Sequence, residues 1–322
     1  MEHRFVYPSK GVGRPQILLI GNGLEYKSGQ KSWEGLLNIL TVEDALPLTR
    51  EQRESIPFPL LYQLLSTHAP VPAHLSTREI REEEGRLASA AGQLRHTSNE
   101  FLDRLPALGA DHIMTTNYSY CLEKAFFPRL DFTKPAARNR KRIRLGDGKV
   151  PQERIYKLHS CYLARSEGRD TGIWHIHGEC AVPKGIVLSY DRYGRLLQRI
   201  ESVCSRQRYP GNGEDIARKE YISWPELFLY GDVYILGLGM EFNEFDLWWL
   251  LRRKQREQYA DGKTYFYERR PAEGFARSKH LMMQANGVIL CDAGCSEEID
   301  HDAFYAAALQ DIKERITQSR QK

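Results

Sequence analysis

The stretch ILLIGNGLEY, Ile17 to Tyr26, decides the fold. Four consecutive aliphatic residues leave no room for a polar alternation, so an extended segment here is buried on both faces, as in a central parallel strand. The run ends directly in Gly21-Asn22-Gly23. In an open α/β sheet, ligands bind beyond the carboxyl ends of the strands. Glycines at such an end let backbone amides approach a phosphate, and the following helix N-terminus adds favourable partial charge. The third glycine of a dinucleotide fingerprint never arrives, and no acidic residue ends a second strand about twenty residues on. A ligand turn and a simple tight turn both fit the glycines.

Working outward, QILLI, DHIMTT, RIYKL, IWHIH, GIVLSY, DVYILGL, KTYFYE and GVILC are further short, strongly apolar runs. Each reads as a buried strand. Helical patterns occupy the intervals: Ser32 caps WEGLLNIL, Ser76 and Glu79 form a capping box, and Asn243 with Asp246 is a capping pair ahead of LWWLLRRKQRE. Strand and helix in alternation predict an α/β fold, a doubly wound, Rossmann-like parallel sheet with helices on both faces and an insertion. Residues 1–322 are expected to form a single domain with its core at about 15–300. The basic stretch KPAARNRKRIRLGDGKV at 134–150 breaks the rhythm and reads as a mobile loop or insertion.

Composition narrows the class. The net charge of +4 is too modest to demand a nucleic-acid partner, and no apolar run approaches the roughly 20 residues of a bilayer span. MEHRFVYPSK lacks the apolar segment of a signal peptide, so a cytoplasmic location is expected. The six cysteines, at 121, 161, 180, 204, 291 and 295, do not pair into a four-ligand zinc pattern. No metal is expected.

Three other strand ends carry chemistry. MTTNYSY places Thr115, Thr116 and Asn117 after one run, WHIHGE places His177 and Gly178 after another, and YILGLGMEFNEFDLWWLL places Gly237 and Gly239 after a third. Each has a plain structural alternative. Asn117 can be a turn or cap residue, His177 a satisfied core histidine, and FDLWWLL an apolar helix face. Taken in order, G-N-G, S-W-x-x-L-L, T-T-N-Y, I-H-G-E, P-K-x-I-V-L and L-G-x-G-x-x-x-x-E-F-D-L-W-W-L-L resemble the sirtuin-like NAD-hydrolase domains of bacterial antiphage defence. The resemblance covers roughly residues 15–300. Sirtuins that deacylate lysine usually carry a four-cysteine zinc module, which this chain cannot assemble.

The resemblance implies NAD as substrate and makes Asn117 and His177 catalytic. An Asn can orient water or ribose through both donor and acceptor groups, and a His, with an ordinary pKa of about 6.5, can act as general base. The resemblance further implies that Gly21, Asn22 and Gly23 cradle phosphate. Thr115 and Thr116 join the binding site, Gly237, Gly239, Met240 and Glu241 lie along the adenosine ribose, and Cys291 and Asp292 hold adenine. His159, in YKLHSCY, is the competing catalytic histidine. His175 alternates with His177 and is expected to face the same way and support it. NAD depletion needs restraint, so a separate regulatory subunit and oligomerisation are expected. A non-catalytic NAD or ADP-ribose sensor and a protein deacylase remain the other functional readings. Nucleic-acid contact through Arg138, Arg140, Lys141, Arg142 and Arg144 is not expected.

Overall fold

The structure is a computed structural model. It describes residues 3–7, 13–29, 33–68, 76–146, 153, 155–166, 168–206, 219–257, 261–269, 275–294 and 300–321. Ser32, Cys295 and residues 147–150 of the basic stretch lie outside these. Ten strands are present among them: β1 (Phe5–Tyr7), β2 (Gln16–Ile20), β3 (His112–Thr115), β4 (Arg142–Arg144), β5 (Ser160–Ser166), β6 (Arg169–His175), β7 (Lys219–Tyr221), β8 (Asp232–Leu236), β9 (Thr264–Tyr267) and β10 (Val288–Cys291). Eight of them form one sheet in the order β10-β9-β8-β2-β3-β6-β5-β4, and β1 pairs with β7. The six strands from β10 to β6 are parallel, while β5 and β4 are antiparallel additions at the edge.

Alternation along the parallel strands explains their continuous apolar sequences. Ile17 and Leu19 enter one hydrophobic cluster with Met114, Trp174, Val233, Ile235 and Phe266. Leu18 and Ile20 enter the opposite one with Ile113, Ile173, Tyr234, Leu236 and Tyr267. Both faces are therefore covered, and the buried polar residues Gln16, His112 and Asp232 stand at the first positions of their strands. The fold is the expected Rossmann-like α/β arrangement. A third cluster joins the helices Trp33–Leu40, Phe58–Ser66 and Thr77–Gly92 to Tyr118, Ile186 and Leu188, so a helical layer sits over the loops after β3 and β6. Ser76 and Glu79 make the expected capping box.

Some local expectations are corrected. GIVLSY and the described residues 155–158 of RIYKL are not strands. Several of their apolar residues are buried without ladder partners: Tyr156, Leu158 and Val187 fill the first cluster, Ile186 and Leu188 the third, while Ile155 and Tyr190 are exposed. Part of the basic stretch is ordered as the helix Pro135–Lys141 followed by β4, so it is not a mobile loop there. Its cations are largely engaged. Arg138 donates to the carbonyls of Phe132 and Thr133, Lys141 lies over the Phe127 ring, and Arg142 pairs with Glu179.

Candidate functional site

Parallel pairing aligns the strand ends in a single row. Cys291 pairs with Tyr267, Tyr267 with Leu236, Leu236 with Ile20, Ile20 with Thr115, and Thr115 with His175. Every residue singled out from the sequence sits at this row or just beyond it. Strand order reverses between β2 and β8, because β3 and β6 follow β2 on one side while β9 and β10 follow β8 on the other. That reversal is where open α/β sheets form their ligand crevice.

At the reversal the two glycine turns meet. The Gly21 amide donates to the Leu236 carbonyl at 3.3 Å and the Gly23 amide to the Gly237 carbonyl at 2.8 Å. A Cβ at Gly21 would lie 2.6 Å from the Gly237 oxygen, and one at Gly23 would lie 2.4 Å from the Tyr305 hydroxyl. Glycine is required because two backbones touch, and these two amides are committed to protein carbonyls. The phosphate role expected for both amides is thus not the use they have here. Gly237 adopts φ +67° and Met240, buried, φ +49°. A non-glycine residue in the left-handed region is uncommon and collects at functional turns. The turn is held by Lys279, whose ammonium donates to the Gly239 carbonyl at 2.9 Å and to Glu268 at 2.8 Å. Trp248 Nε1 donates to the Glu241 carbonyl at 2.9 Å. Trp248 and Trp249 pack against the first hydrophobic cluster.

Asn117 follows β3, and its amide donates to Thr115 Oγ1 at 3.0 Å, while the Thr116 amide donates to the Ile20 carbonyl at 3.3 Å. Its side chain is buried, and Nδ2 has no hydrogen-bond partner. Nearby is Glu25, also buried, whose Oε2 accepts from Ser119 Oγ at 2.6 Å while Oε1 is unpartnered. Burial pushes the Glu25 pKa up, and the Ser119 hydroxyl and Asn117 amide pull against that rise. The Asn117 amide therefore lies at the Glu25 carboxyl, although neither Nδ2 nor Oε1 makes a hydrogen bond of ordinary geometry.

His177 lies two residues beyond the end of β6, before Gly178 at φ +95°. Gly178 is fixed there, since a Cβ would meet the Gly185 carbonyl oxygen at 2.2 Å. His177 Nε2 bonds Asp246 Oδ2 at 2.9 Å, and Nδ1 is 3.7 Å from Glu244 Oε2. Tyr193 stacks edge-on against the ring and donates to Glu244 at 2.9 Å. Burial alone would lower the His177 pKa; the Asp246 carboxylate, with Glu244, outweighs it and raises it. Burial raises the Glu244 pKa as well. Asp246 is not a helix cap, because no side chain caps the helix Phe245–Arg256. It is fully buried, with Oδ1 unpartnered.

His177, Glu244 and Asp246 offer donor atoms within 4.8 Å of one another and could hold a metal ion. In the arrangement present, His177 Nε2 is hydrogen-bonded to Asp246, while Glu244 stands 3.7 Å from Nδ1 and accepts from Tyr193.

His175 is not the supporting partner of His177. The strand ends at His175, so the two-residue period does not carry on to 177, and the rings enter different surroundings. His175 stacks edge-on against Tyr120 and Tyr162, within the second cluster's aromatic residues. Its Nδ1 bonds the Asn117 carbonyl at 2.9 Å and its Nε2 bonds Glu123 Oε1 at 2.7 Å. Burial would lower its pKa, but Glu123 reverses the sign and raises it to about 9. It is an imidazolium locking the backbone of Asn117. Beside it, Tyr120 and Tyr162 donate to the buried Glu179, which also pairs with Arg142.

His159 precedes β5 and does not end a strand. Its Nδ1 bonds the Ile222 carbonyl at 2.7 Å, and its amide donates to Glu153. Cys291 and Asp292 lie at the far edge of the row, with Asp292 accepting from the Gly294 amide at 2.9 Å. Among the described residues the five cysteines form no disulfide. No described helix is long and apolar enough to cross a membrane.

Glu25, Asp246, Glu244 and Glu123 escaped the sequence reading. The signal for Glu25 was a charge set two residues after G-N-G in an otherwise apolar turn. Asp246 was hidden by its resemblance to a cap.

No curated protein matches the chain. Residues 111–281, just over half of the 322, match the SIR2-like domain, a span that holds Asn117, His177 and Asp246 but not Gly21–Gly23 or Cys291. The chain belongs to the SIR2-like domain family.

Proposed function

We propose that the protein is an NAD glycohydrolase that cleaves NAD to nicotinamide and ADP-ribose. The observation that carries this reading is the pairing of Asn117 and His177 at neighbouring strand ends, Asn117 with its buried Nδ2 unpartnered and His177 with only Nε2 at hydrogen-bond distance. Family membership supports NAD as the ligand. The donor and acceptor set fits a dinucleotide: Asn117 Nδ2 can donate, while Glu25 Oε1 and Asp246 Oδ1 can accept.

In the reaction, the bond from ribose carbon to nicotinamide nitrogen breaks with its electron pair leaving on neutral nicotinamide. The sugar becomes oxocarbenium-like. Asn117 orients the ribose or the attacking water, and His177 removes the proton from that water as the new carbon–oxygen bond forms. Asp246 fixes the ring and stabilises the imidazolium that results, as a carboxylate partner does for a catalytic histidine. Buried side chains around both groups keep bulk water away.

The resemblance to antiphage NAD hydrolases supports a role as the NAD-depleting effector of a bacterial, cytoplasmic abortive-infection system. A separate regulatory subunit, with oligomerisation, would hold it silent until triggered. The test is to incubate the purified chain with NAD, dilute and concentrated, and to follow nicotinamide and ADP-ribose by chromatography. Release of both products from the assembled form, with little from dilute monomer, is expected. NAD binding without turnover in any assembly state would favour a sensor, and release dependent on an acylated peptide would favour a deacylase.

A further inference from the structure

Glu25 has no role in the chemistry above, yet its position is hard to explain structurally. It is 1% exposed, it follows the glycine turn at the β2–β8 reversal, and only one of its oxygens is bonded. Leaving a buried carboxylate oxygen unpaired is costly. The Asn117 Nδ2 group beside it is a buried donor in the same condition. Glu25 cannot donate when ionised and Asn117 Nδ2 cannot accept. A single hydroxyl placed between them can do both, accepting from Asn117 and donating to Glu25.

We propose that Glu25 and Asn117 form a two-point clamp for one hydroxyl of the ribose that carries the scissile bond, making Glu25 a specificity-determining residue. This inference rests on the NAD reading of the site. The backbone supports the clamp from below: His175 holds the Asn117 carbonyl, and Ser119 fixes the rotamer of Glu25. A carboxylate on a ribose hydroxyl next to the reacting carbon adds negative charge where the oxocarbenium builds up. Hydrogen bonds of this kind to the neighbouring hydroxyl of a sugar strengthen in the transition state.

The experiment compares wild type and Glu25→Gln on NAD and on its two monodeoxy analogues at the nicotinamide ribose, with ADP-ribose affinity measured by calorimetry. Wild type should lose about 10- to 100-fold in kcat/KM on one analogue, the size of one charge-assisted hydrogen bond. Glu25→Gln should lose a similar factor on NAD, lose little more on that analogue, and bind ADP-ribose more weakly. Equal use of NAD and both analogues by wild type overturns the clamp, and does so even if Glu25→Gln fails to fold. Losses that simply multiply also overturn it, because the hydroxyl then belongs to the attacking water. If wild type releases no nicotinamide, the hydrolase reading fails on its own, and ADP-ribose affinity still decides the clamp. Unchanged affinity in Glu25→Gln, or no binding by wild type, rejects it.

Discussion

His175 and His177 are two residues apart, both buried and both beside carboxylates, yet they are placed for different work. Both ring nitrogens of His175 are held at ordinary hydrogen-bond distance, by a backbone carbonyl and by Glu123. His177 is held by Asp246 through Nε2, while Nδ1 has only Glu244, at 3.7 Å, among the described residues. A fully satisfied imidazolium is a fastener. An imidazole with one nitrogen fixed and one loosely attended can exchange a proton without dismantling its support. Burial and a carboxylate neighbour are common to both rings; what separates them is that Nδ1 of His177 has no partner at hydrogen-bond distance among the described residues.

The contrast breaks most visibly through truncation. His177→Ala should lower NAD turnover by about 100-fold or more. Because it leaves Asp246 buried without its partner, folding is checked with His177→Gln, which can still donate to Asp246 and should be as inactive while melting close to wild type. His175→Ala should act the other way round, chiefly on stability. It strands Glu123 as an uncompensated buried charge, at a cost of about 3–5 kcal/mol in denaturant unfolding. If His175→Ala folds as well as wild type and only turnover is lost, the division of labour is wrong.

The same pair gives a pH dependence. The folded pKa of His175 is raised to about 9 against an unfolded value of about 6.5. Its contribution to stability is therefore fully present below about pH 6.5 and is lost as pH rises through about 9. Unfolding midpoints measured across that range should fall on the alkaline side, and Glu123→Gln should flatten the trend.

A smaller effect sharpens the role of Asp246. Asp246→Asn removes the charge that raises the His177 pKa, so the neutral base forms at lower pH and the acid limb of kcat/KM should move down. The maximal rate should drop about tenfold, the worth of one charge-assisted hydrogen bond. An unmoved acid limb would mean that His177 is not the group titrating. Smallest of all, Arg140→Ala with Arg144→Ala removes two exposed cations of the edge insertion. Turnover and melting temperature should stay unchanged, and a filter-binding assay should find no DNA or RNA affinity at physiological salt in either protein. Tight, salt-sensitive binding by wild type would promote the insertion to a functional surface.

Much of the central sheet was legible because strands covered on both faces, such as QILLI and DVYIL, are apolar at every position after the first. The edge was not. SCYLARS in β5 pairs on the antiparallel side with a mixed pattern, RIR in β4 is three residues long, and both lacked an apolar run to betray them. GIVLSY misled for the opposite reason: Val187 and its neighbours Ile186 and Leu188 are buried in two different clusters from an extended loop tied back to the preceding segment by the Val187 amide on the His177 carbonyl. At the site, glycines, Asn117 and His177 could be placed from strand ends alone. Their carboxylate partners could not, since Asp246 lies 69 positions from His177 and Ser119 lies 94 from Glu25. Only the fold brings them together.

The most direct test is nicotinamide release from NAD by wild type, His177→Ala and His159→Ala, assayed side by side at a concentration where the chain is assembled. His159 bonds the Ile222 carbonyl through Nδ1 and precedes the antiparallel strand β5, with no carboxylate on its ring among the described residues. Its loss should therefore leave turnover substantial, while wild type is active and His177→Ala is at background. Activity retained by His177→Ala and abolished in a folded His159→Ala would contradict the account.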